Sequence, residues 1–443
     1  MKEYLGVNFV RNLSIFTSSR VFSALILLAI GVITARILGP EGRGFYAIFF
    51  TIVGLAANTM NLGLSQANTY LLNREKLAFG TLAGNTLLFL LVLAAGLAGI
   101  VAVLADTAGE ALAWGGGEKV GGWWWLLWAA IIFTLLESSF SGLVYGSHLY
   151  LYQSKSYAVQ AVLFLIATLL IIPLGESLDV ALWLRVVAMA LFVSWYVLMF
   201  WRQVSLVNPT LSIAVFIRQI QFGSRNWLQN LIGLLNYRGY ILLLGAISSP
   251  EAIGVFSIAL LMAEVIRFIP DTVATLLLPK LVGMEVGRDA NEMTALVCRV
   301  IIFTVLLLAS GLFFMADCLI PMIFGNDYLA GVTVLRILLV GAVLGVVYQV
   351  LTRYFTSEAK QIYSIYSALI ALGVAIVVSL LLIPEYGAEG AAAAFTVSSL
   401  AASLSMLVMY RRYTGISVVG VVVMRKPDWL LCWGYLKGYL KGS

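Results

Sequence analysis

Long apolar runs separated by short polar segments recur along the whole chain. Each run has about 20 residues or more, the length that an α-helix needs to cross the hydrocarbon core of a bilayer. The runs are too long and too little alternating for the strands of a membrane barrel, and a helix satisfies its own backbone hydrogen bonds in lipid. The pattern therefore predicts about twelve transmembrane helices, near residues 12–35, 45–71, 79–105, 122–145, 156–174, 180–201, 219–246, 252–279, 294–315, 329–352, 362–383 and 388–410.

The composition agrees with an all-α polytopic membrane protein. Of the 443 residues, 62% are hydrophobic and 11% are charged, and the mean hydropathy is +1.00. These values exclude a soluble domain. The first run has no small-residue cleavage site after a short apolar core, so we interpret it as a retained span and not as a signal peptide.

The basic residues between the predicted spans fall almost entirely on one side. If the N-terminus is cytoplasmic, the loops and termini on that side hold 18 of the 27 basic residues, and the opposite loops hold only Arg36, Arg43 and Lys119. This asymmetry predicts that both termini are cytoplasmic and supports an even number of spans. The net charge of +6 therefore indicates a face toward anionic lipid and not a nucleic-acid partner.

Two halves of the chain repeat a motif. Residues 40–44 read PEGRG and residues 250–254 read PEAIG, and each motif follows a predicted span with an arginine in it, Arg20 or Arg225. An offset of six spans preserves orientation, so the repeat predicts parallel lobes around a central site, as in transporters. The predicted lobes are residues 1–210 with spans 1–6 and residues 211–412 with spans 7–12.

The remaining residues, 413–443, form a predicted cytoplasmic tail. After Asp428, a predicted N-cap, apolar residues from Trp429 to Leu440 fall on one helical face, flanked by Lys437 and Lys441. This pattern is typical of a helix that lies on a membrane surface.

Arg20 and Arg225 lie at matching positions, each about 11–12 Å inside the cytoplasmic edge of its span at 1.5 Å per residue. A charge at such depth costs from about 2.5 to more than 10 kcal/mol, so it is rarely kept without an ionic or wet partner. Two explanations stay open. Either both arginines line an internal cavity and bind an anion, or each one snorkels to nearby headgroups or pairs with a carboxylate.

Span 8 carries Glu264, Arg267 and Asp271 on one helical face. Glu264 and Arg267 could form an internal ion pair that only holds helices together. Alternatively, Arg267 binds a substrate phosphate while Glu264 or Asp271 binds a coupling ion. Arg238 and Arg225 both lie in span 7. Arg238 faces the same cavity as Arg225 only if Gly233 permits a bend in the helix.

Two further candidates lie in the first half. Glu137, in span 4, either pairs with Arg20 or lines the cavity. Asn61, in span 2, lies on a stripe of amides and hydroxyls that either hydrogen-bonds a sugar or packs helices together. The three cysteines lie in separate segments without the spacing of a metal site, so we expect neither a metal nor a cofactor.

Short segments along the chain resemble a known family. Residues 38–47 (LGPEGRGFYA), 61–64 (NLGL), 324–328 (FGNDY) and 387–392 (GAEGAA) are similar to bacterial polysaccharide-biosynthesis flippases. These are the O-antigen and exopolysaccharide exporters of the multidrug/oligosaccharidyl-lipid/polysaccharide superfamily. The resemblance covers essentially the whole chain and implies a MATE-like fold of two six-helix lobes.

The resemblance also implies a function. A flippase of this family moves an undecaprenyl-pyrophosphate-linked oligosaccharide from the cytoplasmic to the periplasmic leaflet of the bacterial inner membrane by alternating access. A polysaccharide polymerase and a chain-length regulator would be its partners.

Family members keep basic residues in a central cavity, and Arg20, Arg225 and Arg267 occupy corresponding helices here. Arg238 and Asn61 are further substrate-binding candidates. A gradient of H⁺ or Na⁺ would act through the three carboxylates of the spans, Glu264, Asp271 and Glu137.

Other functions are weaker predictions. A MATE-like drug or metabolite antiporter for cations should have mostly carboxylates in its spans, whereas six arginines against three carboxylates favour an anionic cargo. A lipid II-type flippase usually has two further spans. A polysaccharide polymerase or glycosyltransferase generally needs a large extramembrane loop or an acidic metal-binding pair, so we predict that the protein is not an enzyme.

Overall fold

The computed structural model describes residues 7–107, 120–203, 209–282, 287–358, 360–425 and 428. In these ranges the chain is helical apart from the connecting turns, so the all-α prediction is confirmed. The α-helices are α1 (Val7–Met60), α2 (Leu64–Asn73), α3 (Phe79–Thr107), α4 (Val120–Gly146), α5 (Tyr150–Leu169), α6 (Ile171–Leu174), α7 (Leu178–Gln203), α8 (Ile213–Ile247), α9 (Pro250–Val282), α10 (Arg288–Phe324), α11 (Gly331–Ser357), α12 (Ile362–Thr414) and α13 (Val418–Val422).

Helix α12 contains two of the predicted spans, and α1 contains the first and most of the second. The predicted second span continues after a turn into α2, so its helix is interrupted before residue 71. α1 is interrupted at Gly39 (φ 66°, ψ 179°), directly before Pro40, and α12 is interrupted at Gly387 (φ 50°, ψ −121°). A residue before proline is kept out of the helical region by the proline ring, and only glycine adopts a positive φ at little cost. The predicted breaks are thus correct in position, but each is a kink at one glycine and not a loop.

Nine helices in the described part of the chain are long and apolar enough to cross a membrane. Two of them are the kinked pairs, Val21–Met60 with 40 residues and Ile362–Thr414 with 53 residues. Since one crossing needs about 20 residues, each of these two helices has the length for two crossings.

The chain divides into two compact units, Met1–Leu234 and Leu235–Ser443. The division lies inside α8, because the first turns of α8 are tied to helices of the first unit. The buried Gln219 of α8 donates to Asn68 Oδ1 at 2.6 Å and accepts from Asn85 Nδ2 at 3.2 Å. The predicted boundary between the two lobes, at residues 210 and 211, is inferred from the sequence repeat. It stays a prediction.

Glycines bring the backbones of the first unit into direct contact. A Cβ added to Gly63, which precedes α2, would lie 2.1 Å from the carbonyl oxygen of Gly223 in α8. A Cβ added to Gly142 in α4 would lie 2.2 Å from the carbonyl oxygen of Ser65. The absence of side chains at these positions therefore lets α2 pack against both α4 and α8.

In the second unit, α11 packs against α9, α10 and α12, and the segment after α12 folds back onto α10. Arg299 of α10 holds this segment through a buried ion pair with Asp428, with Nε to Oδ2 at 2.6 Å and Nη2 to Oδ1 at 3.0 Å. Asp428 Oδ2 also accepts a hydrogen bond from the backbone N–H of Arg425. The predicted surface helix from Trp429 to Leu440 lies outside the described residues.

Candidate functional site

Helices α8 and α9 bring four polar side chains of the second unit together. Arg238 of α8 pairs with Glu264 of α9, with 3.2 Å between Nη2 and Oε1. Tyr237 donates its hydroxyl hydrogen to the same carboxylate oxygen. Arg267 lies one turn further along α9, and its Cζ lies 4.3 Å from the centre of the Tyr237 ring. The Tyr237 side chain thus contacts both the carboxylate and a second guanidinium.

Helix α11 supplies the next partner of Arg267. With the Gln349 amide oriented so that its oxygen faces the guanidinium, that oxygen accepts hydrogen bonds from Nε and Nη2, each at 3.2 Å. The fork of Arg267 is therefore held by a neutral amide and an aromatic face. Both contacts orient the guanidinium without cancelling its charge.

The charge of this cluster is not balanced among the side chains that the structure describes. Glu264 accepts from Arg238, while no carboxylate of the described residues lies within ion-pair distance of Arg267. The side chains of Arg238 and Glu264 are 39% and 31% exposed, so the cluster remains accessible. An excess guanidinium in an accessible part of a membrane span is chemically suited to a phosphate or carboxylate.

The structure brings Arg238, Glu264 and Arg267 together, but without the ion pair between Glu264 and Arg267 that is one of the two alternatives from the sequence. Glu264 pairs across helices with Arg238 and not along its own helix with Arg267. α8 is helical through Gly233, and whether Arg238 faces the same cavity as Arg225 stays a prediction. The side chains of Asp271, Arg20 and Arg225 lie outside the described part of the structure, so their proposed roles stay predictions.

Sequence reasoning missed Tyr237 and Gln349. Tyr237 directly precedes an arginine inside an apolar span, and Gln349 is an amide within the predicted tenth span. Such residues are common in membrane helices as packing contacts. Only the distances to Arg267 distinguish these two side chains from ordinary helix contacts.

The candidates of the first unit have separate surroundings. Asn61 is buried, and its Nδ2 donates to Ser138 Oγ at 3.0 Å and to Ser139 Oγ at 2.9 Å. Both amide hydrogens of Asn61 are therefore used to hold the turn between α1 and α2 against α4. Such a contact belongs to the packing alternative for the stripe of amides and hydroxyls, and a role of Asn61 in substrate binding stays a prediction.

Glu137 of α4 has polar neighbours on two other helices, α5 and α7. Its Oε2 accepts a hydrogen bond from Gln160 Nε2 of α5 at 2.8 Å. Arg185 of α7 interacts electrostatically with Glu137 and lies with its Cζ 3.4 Å from the centre of the Phe164 ring. Arg185 is thus packed inside the first unit.

The described residues contain no group of three His, Cys, Asp or Glu side chains that could hold a metal ion. The cluster on α8, α9 and α11 holds two guanidinium groups, those of Arg238 and Arg267. Its chemistry is that of binding and orienting a charged group.

Solved structures of several transporters share this architecture. The lipid II flippase MurJ in an inward closed conformation aligns with a TM-score of 0.73 at 14% identity, over 89% of this chain and 87% of that chain. A mutant of the Vibrio cholerae MATE transporter VcmN aligns with a TM-score of 0.64 at 15% identity, over 91% and 96% of the two chains. At these identities the likeness shows a shared fold: twelve helices in two lobes.

A transporter of the MOP superfamily from Pyrococcus furiosus, described as having a binding pocket of reversed polarity, also shares the fold, with a TM-score of 0.53 at 13% identity. It covers 91% of this chain and 93% of its own. A search of curated protein sequences finds no match. The sequence itself matches the family described as polysaccharide biosynthesis protein over residues 33–333. The chain therefore belongs to this polysaccharide biosynthesis family and has the two-lobe, twelve-helix fold of MOP-superfamily transporters.

Proposed function

We propose that the protein is a flippase that moves an undecaprenyl-pyrophosphate-linked oligosaccharide from the cytoplasmic to the periplasmic leaflet of a bacterial inner membrane. The family supports a role in polysaccharide biosynthesis, and O-antigen or exopolysaccharide is the product that we propose. The fold supports transport by alternating access, and the protein described as a lipid II flippase supports a lipid-linked cargo.

The observation that carries the proposal is that no carboxylate of the described residues lies within ion-pair distance of Arg267. A diphosphate carries about two negative charges, and the planar fork of arginine donates two parallel hydrogen bonds to phosphate oxygens. Gln349 and Tyr237 hold the fork in place while leaving its charge available. In the proposed mechanism, hydrogen bonds from the Arg267 guanidinium replace the water that the diphosphate loses inside the membrane. The prenyl chain remains in lipid.

Arg238 and Glu264 have a second role in this proposal. Their ion pair is accessible, so an arriving diphosphate competes with the carboxylate for Arg238. Protonation of Glu264, or binding of Na⁺ by it, would free Arg238 for the substrate. The pair thereby couples substrate binding to an ion gradient. Glu137 and Asp271 remain further candidates for the coupling ion.

The test is complementation of a bacterial strain whose own flippase gene has been deleted. The readout is the amount of lipid-linked repeat unit that accumulates on the cytoplasmic leaflet. We expect Arg267→Ala to restore translocation at least about tenfold less well than wild type, as for a lost interaction of about 1.4 kcal/mol. Arg267→Lys should restore part of the activity, because it keeps the charge but loses the fork.

Arg412→Ala is the matched control, since Arg412 is an exposed arginine at the end of α12, outside the cluster. It should translocate like wild type. Normal translocation by Arg267→Ala would contradict the proposal. Export of cationic drugs without any effect on lipid-linked glycan would instead establish the antiporter alternative.

A further inference from the structure

An open groove of about 780 Å³ lies in the first unit. Its volume falls in the range of about 300–1,000 Å³ that is typical of ligand sites. The side chains that matter for its chemistry come from the α2 segment, α4 and α8, and they are Gln66, Tyr70, Asn73, Arg74, Tyr145 and Phe222. The charge asymmetry of the loops predicts that this end of the unit is cytoplasmic.

Helix α2 presents opposite faces to the protein and to the groove. Its buried face consists of Leu64, Ala67, Asn68 and Leu71. Its outer face carries the exposed side chains of Gln66, Tyr70 and Asn73, spaced at helical intervals. A face of amides and a phenol has no use against lipid tails, so it indicates a wet surface that meets a polar molecule.

An aromatic pair forms the floor of the groove. The rings of Tyr70 and Phe222 are stacked, with centroids 4.1 Å apart and planes inclined by 15°. Tyr70 is 39% exposed, so the outer surface of this stack is available. A ligand ring can lie on such a surface with its apolar face, while the phenol hydroxyl remains free to hydrogen-bond.

Polar groups beside the stack are available for a ligand. Within the described part of the chain, neither the Gln66 amide nor the Arg74 guanidinium has a hydrogen-bond or ion-pair partner. The neighbouring Glu75 is occupied, since its Oε2 lies 3.2 Å from Nη1 of Arg218. Asn73 donates to the carbonyl oxygen of Thr69 at 2.9 Å, which leaves its own amide oxygen as an acceptor.

We propose that this groove binds the glycan part of the substrate, as a short oligosaccharide with an acidic group. One sugar ring stacks on Tyr70, the amides of Gln66 and Asn73 bind its hydroxyls, and Arg74 pairs with a carboxylate or phosphate. This inference rests on the proposed flippase function and deepens it. It separates recognition of the sugar in the first unit from recognition of the diphosphate by Arg267 in the second.

Binding can be measured without translocation, on the full-length chain in lipid nanodiscs. Suitable probes are a hyaluronan tetrasaccharide, which carries carboxylates, neutral chitotetraose, and geranyl diphosphate. Saturation-transfer NMR and titration detect affinities in the millimolar range. We expect Tyr70→Ala to weaken the binding of both sugars about tenfold, since the apolar face of the sugar ring loses the aromatic surface on which it lies.

The variants separate the contributions. Arg74→Gln should weaken only the acidic tetrasaccharide, and Tyr70→Phe should keep the binding of both sugars. Tyr366→Ala is the control, because Tyr366 is also exposed, at 52%, but lies on α12 outside the groove. Its affinity for the sugars should equal that of wild type.

Three results would overturn the proposal: no binding of either sugar by wild type, unchanged sugar binding by Tyr70→Ala, or loss of only geranyl diphosphate binding in Arg74→Gln. The last result would show that the groove takes the carrier diphosphate. Sugar binding that depends on Tyr70 in a protein that translocates no lipid-linked glycan would contradict the flippase function alone. Normal translocation together with failure of sugar binding would contradict the groove alone.

Discussion

Glu264 forms its ion pair with Arg238 of the neighbouring helix, although Arg267 lies only one turn away on the same helix. This pairing leaves Arg267 with a neutral amide and an aromatic ring as its neighbours in the described structure. The cluster therefore keeps one guanidinium whose charge is available. Four predictions follow from the contacts of this cluster, of the first unit and of the C-terminal segment.

Replacing Gln349 by Glu should inactivate the protein by occupying Arg267. The new carboxylate would lie about 3 Å from Nε and Nη2, at the place of the present amide oxygen, and would form a bidentate ion pair. Translocation should fall about tenfold or more, while the thermal stability of the purified protein should stay the same or rise. Gln349→Leu removes the hydrogen bonds without adding charge and should have a smaller effect. Equal translocation by wild type and Gln349→Glu would show that the charge of Arg267 is not used.

Replacing Glu264 by Gln should remove the dependence of transport on the ion gradient. The amide keeps the shape of the carboxylate, so the Tyr237 contact can persist, but Arg238 loses its counter-charge. Translocation in inverted vesicles should then become insensitive to an imposed gradient of H⁺ or Na⁺. Glu251→Gln is the control, since Glu251 is an exposed carboxylate in the first turn of α9. A gradient dependence that survives in Glu264→Gln would direct attention to Glu137 or Asp271.

The substitution Gly223→Ala should destabilise the first unit. A Cβ at this position would lie 2.5 Å from the carbonyl oxygen of Leu62. This oxygen belongs to the backbone, which cannot move away as the end of a flexible side chain can. The expected loss is about 1–3 kcal/mol in the free energy of unfolding, measured by thermal denaturation in detergent. Gly99→Ala is the matched control in α3, where a Cβ meets nothing within 4 Å. There the change should be neutral or stabilising, because alanine favours helix.

The ion pair of Arg299 with Asp428 should make docking of the C-terminal segment depend on pH. Hydrogen bonds from Arg299, opposed by partial burial, hold the pKa of Asp428 below its usual value of 3.8. The stabilisation is therefore complete above about pH 4 and is lost as the pH falls through the lowered pKa. At neutral pH, Asp428→Asn should cost about 3 kcal/mol, since it leaves a buried guanidinium without its counter-charge.

The measurement is hydrogen exchange of α13 in wild type and Asp428→Asn. The two proteins should differ at pH 7 and converge below pH 4. A difference that is the same at pH 7 and pH 3 would show that Asp428 acts through its shape and not through its charge.

Much of the fold could be read from the sequence, because hydropathy is a local property. Twenty apolar residues predict a membrane helix without knowledge of any other segment. Gly39 and Gly387 also stand at predicted breaks between spans, and both are the points where long helices kink. What the sequence could not show is that these breaks involve a single residue, since that depends on how the flanking helices pack.

The candidate site was predictable only in part. The sequence by itself determined that Arg238, Glu264 and Arg267 lie in membrane spans and that such charges need partners. The tertiary structure decided which partners they have, because Arg238, Tyr237 and Gln349 reach α9 from other helices. Contacts within one helix follow from spacing along the chain, whereas contacts between helices depend on their relative rotation and depth. The tertiary structure also placed Asn61 in a buried helix contact and assembled the groove beside Tyr70 from residues far apart in sequence.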